Sequence, residues 1–190
     1  MQASTVILFL FISLISTACY SPEPKPLPTE AKKTNPPNST SLRNLKKENN
    51  LERQLKREER RAHRSGRSIL RTARQMSLIN KEILPGGCWD YIDTVYDRAG
   101  FKRHQRQTVF KSKKRGPFAS QDKIKAGDWL YFINHGYRNV EHSAIFISWL
   151  DYKQKKAMML SYAGERRKVP ARYKEYDLRS VYQIIRPKEK

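Results

Sequence analysis

Cysteine is almost missing from this 190-residue chain, which contains only Cys19 and Cys88. No cluster of cysteines and histidines has the spacing of a zinc site, so we expect neither a metal nor another cofactor. If Cys19 is consumed by processing at the N-terminus, Cys88 has no disulfide partner within the chain. An unpaired thiol is unusual in an exported protein, and this favours a reactive role for Cys88.

The chain also lacks an apolar run long enough to span a membrane comfortably. Its longest run, residues 6–15, is too short for a transmembrane helix and is followed by small residues. This pattern predicts an export signal over residues 1–18. Cys19 comes next, as in the cleavage box of bacterial lipoproteins. We therefore expect lipidation of Cys19 and a cell-envelope protein anchored to a membrane, with secretion after cleavage behind Ala18 as the alternative.

Acidic residues are scarce: 18 Asp and Glu stand against 39 Lys and Arg, a formal net charge of +21. Such a charge favours a polyanionic counterpart, namely nucleic acid, an anionic membrane surface or an acidic cell-wall polymer. Few aromatic residues interrupt the cations of residues 42–83, so base stacking has no support there. We expect no specific nucleic-acid partner.

The region after the signal has two parts before any globular domain. Residues 19–41 begin at the lipid-anchor cysteine and are rich in proline, which predicts a disordered tether. Residues 42–66 form a basic helical stretch with two interpretations. It is either a solvated helix with i,i+4 ion pairs such as Glu52–Lys56, or a helix that binds a polyanion.

A globular domain is predicted over residues 67–190. An apolar stripe indicates its first helix at residues 67–83, and residues 101–125 are basic and irregular. Aromatic and β-branched runs then predict four strands, at residues 128–133, 142–150, 157–162 and 181–185. Helices first and antiparallel strands after them define an α+β domain with a sheet of about four to five strands, and one helix packs across the sheet.

Cys88 stands at the most informative position in the chain. The preceding Pro85-Gly86-Gly87 breaks the helical pattern and allows the backbone to approach another molecule closely. A helix then begins at Cys88 or Trp89 and ends at Gly100. The amide groups and dipole of a helix N-terminus favour a thiolate, so Cys88 is a candidate nucleophile. A small buried apolar residue is the alternative.

A thiolate nucleophile needs a base that accepts its proton and later protonates the leaving group. Of the four histidines, His63 and His104 lie in basic segments and His135 lies in a turn. His142 differs because it stands at the start of an apolar strand. A strand is a rigid element, and the His142 ring can project from it. We predict that His142 is the base, with a structural or surface histidine as the alternative.

These motifs together resemble the NlpC family of papain-like cysteine peptidases and the related CHAP amidases. Residues 87–96 (GCWDYIDTVY) and 98–101 are similar to the nucleophile helix of these families. Residues 125–132 (KAGDWLYF) resemble their turn and first core strand, and residues 140–146 (VEHSAIF) resemble the strand that carries the catalytic histidine.

The resemblance implies a papain-like fold, Cys88 as nucleophile, His142 as base and hydrolysis of an amide bond in peptidoglycan. The Gly-Cys-Trp context, where many NlpC enzymes have Asp-Cys-Ser, favours the amidase relatives. Ser161 falls where these families carry a third polar residue that orients the histidine. The alternatives for that role are Tyr162, Asn134 and Asn139.

A competing hypothesis is an inert papain-like domain in an envelope lipoprotein. In that case, the basic surface would bind polyanions or the cell wall, and Cys88 would have no catalytic role.

Overall fold

A computed structural model describes residues 39–188 of the chain. The predicted signal at residues 1–18, the lipidation site Cys19 and most of the proposed tether lie outside the described residues. The described residues form an α+β structure in which three α-helices precede the six strands of an antiparallel sheet. The predicted class is therefore confirmed, but the sheet has more strands than the expected four to five.

The three α-helices are α1 (Ser39–Arg61), α2 (Arg64–Arg74) and α3 (Cys88–Arg98), and α2 continues into a π-helical turn at Gln75–Ile79. Single 3-10 turns cover Arg103–Gln105, Gln121–Lys123 and Glu165–Arg167. The strands are β1 (Arg106–Lys111), β2 (Trp129–Asn134), β3 (Val140–Asp151), β4 (Lys156–Ser161), β5 (Arg172–Asp177) and β6 (Val181–Pro187). Their order in the sheet is β1-β6-β2-β3-β4-β5, and all neighbours are antiparallel.

The two strands that the sequence did not predict lie at the two edges of the sheet. β1 pairs only with β6, and β5 pairs only with β4. Edge strands commonly carry charged residues, which discourage pairing with other chains. The charged residues in both strands weaken the aromatic and β-branched pattern that identified the central strands. The stretch of residues 101–125 is therefore less irregular than expected.

The boundary between α1 and α2 differs from the predicted one. The helical path breaks at Ala62 and His63, and the His63 side chain accepts a hydrogen bond from the Gly66 N–H at the start of α2. Gly66 lies inside α2, where a Cβ atom would come within 2.2 Å of the Ala126 carbonyl oxygen. This glycine permits close packing of the helix on a turn and does not interrupt the helix.

Helix α1 has one face that packs against the domain and one that is exposed. Leu55 and Glu59 are buried, and the Glu59 carboxylate accepts a hydrogen bond of 2.5 Å from Arg74 of α2. The predicted Glu52–Lys56 ion pair is present at 2.8 Å. Residues 39–188 belong to one compact unit, so the basic helix is part of the same body as the sheet. None of the helices within residues 39–188 is long and apolar enough to cross a membrane.

The two faces of the sheet have separate apolar cores. Helix α3 contributes Ile92 and Val95 to the core on one face, together with Trp129 and Ile145 of the sheet. The other core contains side chains from alternate positions of the same strands, such as Leu130, Phe132, Ala144 and Phe146. This alternation places adjacent residues at the start of β3 on opposite faces. His142 and Ser143 occupy those positions.

Candidate active site

Helix α3 begins at Cys88, as the glycines before it predicted. The Asp90 carboxylate accepts a hydrogen bond of 2.7 Å from the Gly87 N–H and so caps the first turn. Gly86 has a φ of +91°, and a Cβ atom there would lie 2.2 Å from the Asp90 carboxylate. The Gly86 carbonyl also accepts a hydrogen bond of 3.0 Å from the Glu165 N–H. The backbone that carries the thiol is therefore held from two sides.

The Cys88 thiol has polar partners and is only partly buried. The Ser143 hydroxyl donates to the sulfur at 3.5 Å, and the adjacent His142 lies near enough to lower the pKa of the thiol. His142 and Ser143 are adjacent in β3, so one strand supplies both residues that lower the pKa of the thiol. These surroundings differ from those of a cysteine that serves as a buried apolar residue.

The thiol is acidified by these contacts. Burial raises the pKa of Cys88, but the hydrogen bonds with His142 and Ser143 and the charge of His142 together lower it by more. The resulting pKa is about 7. A free cysteine has a pKa of about 8.5, so a much larger fraction of Cys88 is thiolate at neutral pH.

Alkylation of Cys88 by iodoacetamide is expected to follow this pKa. A full-length Cys19→Ser variant would leave Cys88 as the only thiol. Because the thiolate is the reactive form, the rate should rise as the pH increases through about 7 and level off above it. The same protein unfolded in urea should show a midpoint near about 8.5. A folded-state midpoint at or above the unfolded one would contradict the proposed contacts.

The His142 imidazole is oriented by Ser161 and by two aromatic rings. Its Nε2 lies 2.7 Å from the Ser161 hydroxyl oxygen, which also accepts a hydrogen bond of 2.8 Å from the Tyr176 hydroxyl. Since Nε2 faces Ser161, Nδ1 is the nitrogen available to the sulfur. The ring also contacts Phe132 and Tyr176, each with a centroid separation of 5.7 Å. Packing and hydrogen bonding together fix the ring.

The structure brings Cys88, His142 and Ser161 together, as the sequence interpretation required. Two of the alternatives for the third position have other partners. Tyr162 donates to the Leu84 carbonyl at 2.7 Å, and Asn139 contacts His135 at 2.9 Å. Asn134 lies along the wall of the same cleft as His142.

No family model, curated protein or solved structure matches this chain. The resemblance to the NlpC and CHAP families therefore rests on the motifs quoted above. The arrangement of Cys88, His142 and Ser161 is independent of that resemblance, because it follows from the geometry of the described residues.

Two residues of the site were missed in the sequence. Ser143 directly follows His142, so its proximity to the nucleophile could have been suspected once a contact to the strand was assumed. Tyr176 lies in the edge strand β5 (RYKEYD), where charged neighbours hide the strand signal. Without β5, nothing in the sequence placed a tyrosine beside Ser161.

The catalytic candidates line a cleft with a volume of about 780 Å³. Strand β5 and the loop before it form one wall, which carries both cations and carboxylates: Arg167, Arg172, Lys174, Glu175 and Asp177. The cleft is large enough for several residues of a peptide or a similar substrate. Within residues 39–188, no group of three or more His, Cys, Asp or Glu side chains is placed to hold a metal ion.

Replacement of Ser161 by alanine is expected to lower the hydrolytic rate by about 3- to 10-fold, because one neutral hydrogen bond is lost. Tyr176→Phe should have a smaller effect, since it removes only the partner of Ser161. Both variants should change kcat more than KM if the hydroxyls act by positioning His142. Ser161→Asn, which restores an amide able to bind Nε2, should recover part of the rate. A loss after Ser161→Ala as large as that of His142→Ala would show that positioning is not shared.

Proposed function

We propose that this protein is a cysteine hydrolase with a papain-like fold that cleaves an amide bond in peptidoglycan, as an endopeptidase or an amidase. The observation that carries the proposal is the acidified Cys88 thiol at a helix N-terminus, in one cleft with a histidine that lowers the pKa of the thiol and whose Nε2 is held by Ser161. The resemblance to the NlpC and CHAP families supplies the substrate class. The order of nucleophile helix before antiparallel strands supports the proposed fold.

The first chemical step is attack by the Cys88 thiolate on the amide carbonyl carbon. A C–S bond forms and the carbonyl oxygen becomes an oxyanion, to which the Cys88 backbone N–H at the start of α3 can donate. His142, protonated at this stage, gives its proton to the amine nitrogen as the C–N bond breaks. The amine leaves and a thioester remains on Cys88.

Hydrolysis of the thioester regenerates the site. His142 accepts a proton from a water molecule while the water oxygen attacks the thioester carbon. The C–S bond then breaks, Cys88 returns to the thiolate, and the carboxylic acid product leaves and gives its proton to the solvent. When His142 is an imidazolium, both ring nitrogens are donors. The Ser161 oxygen has two lone pairs, so it can accept from Nε2 and from Tyr176 at the same time.

The proposal is tested by incubating purified sacculi with the full-length protein and analysing the soluble products by chromatography and mass spectrometry. The wild type should release muropeptides whose masses identify the cleaved bond, and Cys88→Ala should release none. No release by the wild type, or equal release by Cys88→Ala, would overturn the proposal.

We also propose that lipidation of Cys19 anchors the protein in the cell envelope. Cys19 lies outside the described residues, so this part rests on the sequence alone. Mass spectrometry of the N-terminal peptide from the native host should show a diacylglyceryl addition. An unmodified peptide that begins at Cys19 would support simple secretion.

Binding of the cell wall without catalysis is the second candidate function. The observation that favours it is the solvent-exposed surface of α1, where every cation is exposed: Arg43, Lys46, Lys47, Arg53, Lys56, Arg57, Arg60 and Arg61. Co-sedimentation with sacculi that weakens with salt, in the absence of any product release, would favour this function.

A further inference from the structure

A second basic element covers residues 111–116, from the end of β1 into the connection to β2. This segment, called the basic turn below, carries Lys111, Lys113, Lys114 and Arg115. Backbone hydrogen bonds hold it to β6: the Ser112 N–H donates to the Tyr182 carbonyl at 2.8 Å, and just beyond the turn the Ala119 N–H donates to the Val181 carbonyl at 2.8 Å. The positions of its cations are therefore set by the sheet.

The basic turn lines a second cleft, with a volume of about 700 Å³. Tyr131, Tyr182 and Gln183 form the floor of this cleft, and Glu141 is the one carboxylate among its lining residues. Glu141 forms an ion pair with Lys114 and accepts a hydrogen bond of 3.4 Å from the Tyr182 hydroxyl. Four cations and one carboxylate leave this cleft with an excess of positive charge.

The second cleft begins one side chain away from the nucleophile. Tyr131 pairs with Ser143 across the β2–β3 ladder, and the Ser143 hydroxyl contacts the Cys88 sulfur. Directly paired residues have Cβ atoms about 5 Å apart on the same face. Burial raises the pKa of both Tyr131 and Tyr182 to about 12; Glu141 adds to the shift of Tyr182, and the charge of Cys88 contributes less to both. Their hydroxyls therefore stay neutral beside the thiolate.

The two clefts are linked through Ser143, which contacts the Cys88 sulfur and pairs with Tyr131. Cys88, His142 and Ser161 line the first cleft, and Tyr131 lines the second together with the basic turn. A substrate whose scissile amide lies over the sulfur would extend into both. The part of the substrate that enters the second cleft meets aromatic rings and uncompensated cations.

We propose that the second cleft is a subsite for a carboxylate-bearing part of the substrate, recognised by the cations of the basic turn. Ammonium and guanidinium groups form charge-assisted hydrogen bonds with carboxylates, and the two tyrosines supply an apolar floor for the adjoining carbon chain. The volume of this cleft is close to that of the first, so it also has room for several residues of a peptide or a similar substrate. The subsite rests on the proposed function, since it assumes that Cys88 attacks a substrate bound across both clefts.

The first test measures the selectivity of Cys88 for an anionic reagent and does not depend on hydrolysis. In the full-length Cys19→Ser protein, the alkylation rate with iodoacetate is divided by the rate with iodoacetamide. Both reagents react with the same thiolate and differ mainly in charge. A change in the thiol pKa alters both rates by the same factor and leaves their ratio unchanged. The ratio should exceed that of free cysteine and should fall as salt increases.

Matched charge variants then separate the subsite from the general positive field of the protein. Lys113→Gln/Arg115→Gln should lower the ratio by about 5-fold, because two of the four cations that line the second cleft are removed. Lys46→Gln/Arg43→Gln removes the same charges from α1 and should lower it by less than about 2-fold. An unchanged ratio in the first variant, or equal decreases in both, would overturn the subsite.

A second measurement connects the subsite to turnover. Two model peptides are compared that differ only in a carboxylate or a carboxamide next to the scissile amide. Lys113→Gln/Arg115→Gln should lower kcat/KM for the carboxylate peptide by about 5-fold or more and leave the carboxamide peptide unchanged. If the wild type cleaves neither of the two peptides nor sacculi, the proposed function fails. The alkylation ratio still decides whether the second cleft attracts anions.

Protection experiments identify the kind of anion. Glutarate should slow the alkylation of Cys88 by iodoacetamide in the wild type, but not in Lys113→Gln/Arg115→Gln. Stronger protection by inorganic phosphate than by glutarate would point to a phosphate-bearing polymer and would overturn the assignment to carboxylates.

Discussion

Replacement of His142 by alanine is expected to lower the rate of sacculus hydrolysis by at least about 1000-fold. Two losses combine in this variant. The thiol loses a hydrogen bond and a nearby charge that lower its pKa, so less thiolate is present at neutral pH. The leaving amine also loses the group that protonates it. The measurements are kcat for product release and the pH midpoint of iodoacetamide alkylation, which should rise from about 7 toward about 8.5.

His135 provides a matched control for this substitution. Like His142 it is in hydrogen-bond distance of a serine, with Nε2 of His135 at 2.7 Å from the Ser180 hydroxyl oxygen. It is not among the residues that lower the pKa of Cys88. His135→Ala should therefore keep both the rate and the alkylation midpoint of the wild type. His142→Gln, which fills more of the space between Phe132 and Tyr176, should be as inactive as His142→Ala. Substantial activity in both His142 variants would show that this residue is not the base.

Much of the site was predictable because its signals are local. The glycines before Cys88 and the apolar spacing after it predict the start of α3, and the structure places that start at Cys88. The apolar run after His142 predicts β3 in the same way. Each of these signals depends only on backbone sterics and on burial of one face, which neighbouring residues in the chain determine.

The rest of the site depends on contacts between distant parts of the chain. Tyr176 reaches Ser161 only because β5 pairs with β4. The basic turn lies beside Tyr131 and Tyr182 only because β6 lies between β1 and β2. Both β1 and β5 are charged edge strands, whose pairing the local pattern does not reveal. The charges of residues 111–115 are visible in the sequence, but their position beside Tyr131 and Tyr182 is a property of the sheet order.

A buried ion pair links the turn before β2 to the end of β6, on elements that support the site. Asp128 is fully buried, and Arg186 approaches its two carboxylate oxygens at 2.7 Å each. The Lys125 N–H donates to the same carboxylate at 2.8 Å, and Arg186 also donates to the Lys123 carbonyl at 2.6 Å. Burial raises the pKa of the Asp128 carboxyl in spite of these partners. The ion pair therefore does not fully offset the cost of removing the carboxylate from water.

Removal of one partner of this ion pair should lower the stability by far more than the net stabilisation that the intact pair provides. Asp128→Ala leaves the Arg186 guanidinium buried without its carboxylate, and we expect the free energy of unfolding to fall by about 3–5 kcal/mol. Such a loss is a large fraction of the stability of an ordinary domain, which is about 5–15 kcal/mol. Urea titration of the full-length protein, followed by tryptophan fluorescence, measures the change.

The double variant Asp128→Leu/Arg186→Met distinguishes an unpaired charge from lost packing. It removes both charged partners, so its loss of stability should be smaller than that of Asp128→Ala, although it contains one more substitution. Glu48→Gln, which breaks an exposed ion pair with Lys81 at 3.6 Å, should change stability by less than about 1 kcal/mol. If the double variant is as unstable as the sum of its single variants, the cost comes from lost shape and hydrogen bonds at each residue. If it is more stable than the sum of its single variants predicts, the cost comes from the buried charge, because each single variant keeps one charged partner and the double variant keeps neither.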